Sequence, residues 1–415
     1  MKRLSIIPIA CISWLCPAQE LWSLEDCIGY ANAHNIAILQ QNVSVAESEA
    51  ARKQALASFF PQVSASGGRS DIWYGEDADS HAWEVALEGN WVVFDSFSRH
   101  NQLLARRLDL ASARFEEDAL RGEVSLRVAK GYLKLLLSQD LVDCAREEFA
   151  CILKEKERLV ALVDAGREPL SSLRTVESQC AGEYSDMVKA EGELKNSRMA
   201  LLQLLDLPYN EAFTAFCALG DTLPAPPAYG YSEILDFAGA RPEIRSLGKA
   251  EEARKRESSA AKGAAAPYIA VSGEQIWSKA YPGGQSSTVE LQLVVPILDG
   301  GAAAAGIRKT ALEHKRASLE KQRRLTDMAS TVQAAFIEAA NLYNMAAAGK
   351  AHLEAAKALL HSSEAKFRSG SITAAEFAQS RSEYLSARAE EISARWQYIF
   401  QLKIADYWRG IPITL

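Results

Sequence analysis

The chain states nearly the same pattern twice, and each statement runs from a pair of strands into a helix too long for a compact globular unit. Gly131-Tyr132-Leu133 lies in a helical stretch that Gly166 interrupts and Leu173 restarts; Ala335-Phe336-Ile337, Gly370 and Phe377 do the same, each 204 residues later. Upstream, Val93-Phe94-Asp95 answers Ile297-Leu298-Asp299 at that offset, and Pro61 answers Pro267 within two residues of it. A duplication of this kind sets the architecture before any local motif is weighed.

The two copies divide the chain. Residues 1–18 read as an export signal, with Lys2 and Arg3 before an apolar run from Leu4 to Leu15 and Cys16-Pro17-Ala18 as the cleavage region before Gln19. Acylation at Cys16 is the alternative, against which Trp14 and Leu15 stand where small residues are expected. The first repeat covers 19–206, with strands at about 62–74 and 82–96 and a helical hairpin over 98–206. A connecting segment rich in Pro, Ala, Gly and aromatic residues covers 207–242. The second repeat, 243–415, has strands at about 267–279 and 286–298 and a hairpin over 302–409.

The strands show in their period of two. Trp83, Val85, Leu87, Gly89, Trp91 and Val93 share one face, with Glu84, Ala86, Glu88 and Asn90 on the other. Val63, Ala65 and Gly67 alternate with Ser64, Ser66 and Gly68 before the strand ends near Trp73-Tyr74. In the second copy Ile269, Val271, Gly273 and Trp277 stand opposite Ser272 and Glu274, and Val289, Leu291, Leu293 and Val295 opposite Glu290 and Gln292.

From Ser98 to Asp164, and again from Ala302 to Arg368, no proline occurs and apolar residues recur at helical spacing. Such helices are roughly 100 Å long if continuous, and they need neighbours that bury a seam along their length. Two shorter predicted helices, Leu24 to His34 and Ile36 to Phe59, precede the first strand. In the second hairpin turn Gly370 supplies a left-handed stop, and Thr373 with Glu376 has the spacing of a capping box. The first turn uses Gly166 and then Pro169, a residue suited to a first helical turn.

The charge of -7 and pI near 5.6 argue against a nucleic-acid partner. Five cysteines outside the signal, at 27, 144, 151, 180 and 217, are too scattered and odd in number for a disulfide framework. The six histidines at 34, 81, 100, 314, 352 and 361 show no metal-site spacing, and Gly300-Gly301 lacks the lysine of a phosphate loop. No catalytic constellation, cofactor motif or metal site is expected. No segment after the signal reaches the ~18 consecutive apolar residues of a spanning helix, so entry into a bilayer would have to use the strands. Four strands cannot close a barrel alone, since the smallest outer-membrane barrels have about eight. On pattern alone, the same strands also suit a soluble sheet packed on helices.

The chain resembles the TolC family of outer-membrane efflux proteins. The resemblance is carried by Leu24-Glu25-Asp26-Cys27, Phe60-Pro61-Gln62-Val63-Ser64, Pro296-Ile297-Leu298-Asp299-Gly300-Gly301 and Gly370-Ser371-Ile372-Thr373-Ala374-Ala375-Glu376-Phe377, within a span from Leu24 to Trp408. It implies a mainly α fold with a small β part: long antiparallel coiled-coil hairpins forming an α-barrel, and four strands per chain in a twelve-stranded β-barrel shared by a homotrimer. It further implies an outer-membrane location with a large periplasmic part, and a passive, non-enzymatic duct for small molecules in a tripartite efflux pump. Its implied partners are a periplasmic adaptor and an inner-membrane transporter. A type I protein-secretion duct and a soluble periplasmic coiled-coil scaffold are the alternatives. By the same resemblance the turns form a periplasmic tip for gating and adaptor contact, with Asp164, Gly166, Arg167, Glu168, Arg368, Gly370, Thr373 and Glu376 as the expected residues. The first copy departs from the family pattern there, with Pro169 at a usual small-hydroxyl position and Ser172 where an acid is common.

Overall fold

The structure, a computed structural model, describes residues 21–73, 80–216, 223–226, 230–279 and 284–413. The export segment 1–18, Tyr74 and Cys217 lie outside the described residues. In chain order the elements are β1 (Leu21–Trp22), α1 (Leu24–His34), α2 (Ile36–Ala57), β2 (Gln62–Ile72), β3 (Ser80–Phe94), α3 (Ser98–Asp164) and α4 (Leu170–Leu204). They continue as β4 (Thr214–Ala215), α5 (Tyr231–Ala240), α6 (Pro242–Ala264), β5 (Tyr268–Ser278), β6 (Gly284–Val294), α7 (Ala302–Arg368) and α8 (Ala374–Trp408). The outgoing helices α3 and α7 have 67 residues each and the returning helices α4 and α8 have 35. The segment 207–242, read from composition as a connection, contains β4 and α5.

Two compact units emerge, and neither coincides with a sequence repeat. One comprises Met1–Ile36, Gly122–Tyr229 and Gln333–Leu415; the other comprises Ala37–Arg121 and Gly230–Val332. Each draws on both copies because α3 and α7 contribute their first parts to one unit and their last parts to the other.

The unit that holds the sheet is organised by strand pairing. Its four strands run in the order β2-β3-β5-β6, all antiparallel, so the two sequence-distant hairpins are joined at β3 and β5. Glu88 faces Glu274 and Gly89 faces Gly273 across that seam, and the register shifts between Val92 and Phe94. At the base of β3 the chain turns sharply into α3, with Ser96 and Phe97 at φ of 52° and 65°. Arg99 holds this corner: its Nε donates to Asp95 at 2.9 Å, its Nη1 to the Ser58 carbonyl at 2.7 Å and its Nη2 to the Val92 carbonyl. The guanidinium also lies 5.2 Å over the Phe59 ring. The second copy has Ala303 at the corresponding place, and there Asp299 alone caps α7 through the Gly301 and Ala303 amides, at 2.9 and 2.6 Å. Helix α6 packs so closely on the first corner that a Cβ on Gly263 would stand 2.6 Å from the Ser96 carbonyl.

The other unit is built on the long hairpins. Ile152, Leu159 and Val176 form a buried cluster between α3 and α4, and Leu342, Ala346 and Tyr398 form one between α7 and α8. Buried polar groups on these seams are paired: the Ser138 and Ser197 hydroxyls are 2.9 Å apart, and Gln401 donates to the Ala335 carbonyl at 2.9 Å. Strands β1 and β4 pair in parallel beside α3, where the fully buried Tyr132 hydroxyl lies 2.8 Å from the Trp22 carbonyl and accepts the Phe216 N–H at 3.0 Å.

Replacing Gly263 by alanine forces its new methyl against backbone rather than a movable side chain. Overpacking of this kind costs about 1–3 kcal/mol. The G263A protein is expected to unfold at a temperature several degrees lower than wild type by circular dichroism; an unchanged midpoint would show that the corner yields freely.

Candidate functional site

The sheet has two chemically opposite faces, because successive side chains in a strand point to opposite sides. On one face Gln62, Ser64, Glu88, Asn90, Ser272, Glu274, Thr288 and Glu290 line a trough. The other face carries apolar residues that none of the described residues covers: Val289 is 83% exposed, Leu291 71%, Leu293 68% and Val63 66%. Trp83, Val85, Leu87, Trp91 and Val93 extend that surface on β3 and are also exposed. A soluble sheet packed on the helices would have buried these side chains. Strands β2 and β6 lie at the two ends of the strand order, so each has an edge without a neighbouring strand among the described residues. Among the described residues no helix is long and apolar enough to cross a membrane.

The hairpin tips share one backbone design. After α3, the Gly166 N–H donates to the Val163 carbonyl and the Arg167 N–H to the Leu162 carbonyl, both at 2.9 Å, with Gly166 at φ 67°. After α7, Gly370 donates to Phe367 at 3.0 Å and Ser371 to Lys366 at 2.8 Å, with Gly370 at φ 73°. This is the paired 5→2 and 6→1 closure of a helix C-terminus, and the left-handed residue it requires is glycine in both copies.

The returning helices begin differently. Thr373 and Glu376 form a reciprocal capping box: the Thr373 hydroxyl accepts the Glu376 N–H at 3.3 Å and the Glu376 carboxylate accepts the Thr373 N–H at 2.8 Å. These hydrogen bonds hold the Glu376 carboxyl below its ordinary pKa. In the first tip Pro169 occupies the N-cap position, one residue before the helix, and supplies no side-chain cap. Phe367 and Phe377 stack at 5.0 Å across the base of the second tip.

Arg368 pairs with Glu364 one turn earlier on its own helix, and the Glu376 carboxylate is engaged by Thr373. Among the described residues no ion pair joins Arg368 to Glu376. Asp164 and Arg167 are exposed and Glu168 is half-buried, and none of the three joins an ion pair among the described residues.

The charged cluster that does link the two hairpins lies further from the tips. Arg388 on α8 donates to Glu148 at 3.3 Å and to Glu147 at 2.7 Å, both on α3, and Arg381 donates to the Glu148 backbone carbonyl at 3.2 Å. Glu148 and Arg381 are both buried. Burial pushes the Glu148 carboxyl above its ordinary pKa, with Arg381 and Arg388 opposing the shift. Glu183 on α4 is raised for the same reason and is likewise opposed by Arg381. Sequence reasoning passed over this cluster; its one signal is that Arg381 and Arg388 stand seven residues apart and so share a helix face.

Among the described residues no group of three or more His, Cys, Asp and Glu is arranged to hold a metal ion. Cys27 and Cys144 are buried thiols, Cys151 is exposed and Cys180 half-buried, all unpaired by disulfides. Burial pushes the Cys27 thiol up to about 12, which makes it unreactive at neutral pH.

A duplicated pair of long helical hairpins attached to a sheet with an uncovered apolar face defines a class of membrane channel proteins. The chain belongs to the outer membrane efflux protein family, whose model matches residues 27–206 and 236–402. It is accordingly an outer-membrane protein of a channel family, not an enzyme family. It is 27% identical over 128 residues to the outer membrane protein TolC of Vibrio cholerae, a match that covers 31% of this chain and 27% of the relative. Over 383 residues it is 24% identical to the alkaline protease secretion protein AprF of Pseudomonas aeruginosa, covering 83% of this chain and 75% of the relative. Its fold is that of the Campylobacter jejuni outer membrane channel CmeC, with a TM-score of 0.82 at 14% identity over 98% of this chain and 94% of the channel.

Because its pKa is raised in the fold, Glu148 contributes stability while protonated and loses it as pH rises from the ordinary carboxyl value through the raised one. An E148Q variant, fixed in the neutral shape, is expected to gain in melting temperature relative to wild type as pH is raised from about 4 to about 8. A constant difference across that range would mean that ion pairing cancels the cost of burial.

Proposed function

We propose that this protein is the outer-membrane exit duct of a tripartite efflux pump, a passive channel for small molecules that draws its energy from an inner-membrane transporter. The observation that carries the reading is the sheet with one uncovered apolar face, one polar trough and two open edges. In lipid every backbone polar group must be paired, so open edges are excluded and the sheet must close. Three chains supply twelve strands, within the range of known outer-membrane barrels, whereas one chain cannot reach the minimum of about eight. The apolar face then meets lipid and the trough, with Glu88, Glu274 and Glu290, lines a wet interior.

The hairpin turns at Gly166 and Gly370 serve as the periplasmic tip that meets an adaptor protein and opens the channel. Asp164, Arg167, Glu168, Arg368, Thr373 and Glu376 are the side chains available there. A second reading, a duct for secreted protein, is favoured by the likeness to a protease secretion protein over most of the chain. Both use the same passive conduit.

Mild detergent extraction followed by analytical ultracentrifugation is expected to yield an elongated particle of three chains. A monomer soluble without detergent would refute the shared barrel. Neutralising Arg368 and Glu376 together as R368Q/E376Q is expected to raise single-channel conductance in planar bilayers. Unchanged conductance and gating would remove these two residues from the opening mechanism.

A further inference from the structure

The apolar face of the sheet ends in a row of unlike chemistry. Arg69 on β2 is in register with Trp83 on β3, and the Lys279 N–H donates to the Trp83 carbonyl at 3.0 Å, which puts Lys279 in the same row just beyond β5. Strand alternation sets Arg69 and Lys279 on the side of Val63, Val85, Leu87 and Trp277, not on the side of the trough. Arg69, Trp83 and Lys279 are all exposed. This end of the sheet is the one remote from α3 and α7, since both helices start from the opposite strand ends.

The depth of the row agrees with a lipid interface. From Val93 to Trp83 the strand advances ten residues at about 3.4 Å each, roughly 34 Å along β3. Tilted by 35–45°, that is about 25 Å of depth, the height of the apolar band of an outer-membrane barrel. The row therefore stands where acyl chains give way to headgroups on the side away from the periplasmic helices. Adjacent strands are about 4.8 Å apart, so the Arg69 and Lys279 backbones are separated by about 10 Å, a gap within the combined reach of two long side chains flanking Trp83. Asp71 orients the guanidinium, accepting from Arg69 Nε at 3.1 Å and holding His81 at 2.7 Å. A guanidinium has five N–H donors in a planar fork suited to phosphate, so one bond to Asp71 leaves it able to bind.

We infer that Arg69 and Lys279, on either side of Trp83, bind the phosphate of a phosphorylated lipid in the outer leaflet of the outer membrane. The inference rests on the barrel reading above, because only that reading puts this row at a lipid interface. A bare anion in water would gain nothing from the exposed indole, whereas a lipid headgroup sits over it while its chains cover Val85 and Leu87.

The test uses the full-length protein reconstituted in nanodiscs containing bisphosphorylated lipid A, or the same lipid with its phosphates removed. Lipid retained per trimer is counted by native mass spectrometry. Wild type is expected to retain the phosphorylated lipid at least five-fold more than the dephosphorylated one. The Arg69→Gln/Lys279→Gln variant is expected to lose that preference, and the charge-keeping Arg69→Lys/Lys279→Arg variant to keep it. Equal retention of both lipids by wild type, an unaltered preference in the Gln variant, or displacement of the lipid by millimolar inorganic phosphate alone would overturn the inference. A chain that forms trimers and inserts but shows no preference refutes this inference only; a chain that does not insert refutes the barrel reading itself.

Discussion

The proposed barrel depends on the need to pair every backbone N–H and C=O of a sheet whose exposed apolar face would meet hydrocarbon. An unpaired backbone group in lipid costs several kcal/mol, with no water to relieve it. Four strands with apolar side chains such as Val289 and Leu291 on one face and Glu88 and Glu274 on the other satisfy the interior pairs but leave the outer edges of β2 and β6 open. In the proposed barrel further copies would make up that deficit, and the β3–β5 seam already joins the two hairpins of one chain into a continuous four-stranded sheet.

The helices answer a different constraint. A helix of 67 residues has a narrow apolar stripe and cannot be stable alone in water, so each outgoing helix is held by a shorter returning one and by the other hairpin. The seams are dominated by small and aliphatic residues, and their polar members are satisfied locally, as with Ser138 and Ser197. The Glu148–Arg388 cluster stands apart. It buries charge between hairpins, where burial raises the Glu148 carboxyl pKa and Arg381 and Arg388 oppose that shift.

The duplication is unequal at both ends of the long helices. Both tips close with the same glycine geometry, yet Thr373 and Glu376 cap one returning helix while Pro169 leaves the other without a side-chain cap. At the other end of the helices the inequality reverses: Arg99 gathers three partners at the first corner, while the second relies on Asp299. Each copy is thus more firmly fixed at one end, a difference that strict duplication would not produce.

Much of this was legible in the residues. Period-two alternation in Trp83–Val93 separates the apolar face from the trough, and proline-free runs ending at Gly166 and Gly370 bound α3 and α7, because local periodicity and left-handed caps are short-range properties. The capping box at Thr373 was readable for the same reason. What the tertiary structure alone decided are the contacts between distant segments: the pairing of β3 with β5, the Arg99 corner, the Tyr132 hydroxyl between Trp22 and Phe216, and the burial of Glu148 against Arg388. Arg368 and Glu376 both stand at the second turn, and only the fold shows their local partners, Glu364 and Thr373. A sequence specifies which faces are apolar and where helices stop; which buried charge meets which depends on how helices a hundred or more residues apart are set side by side.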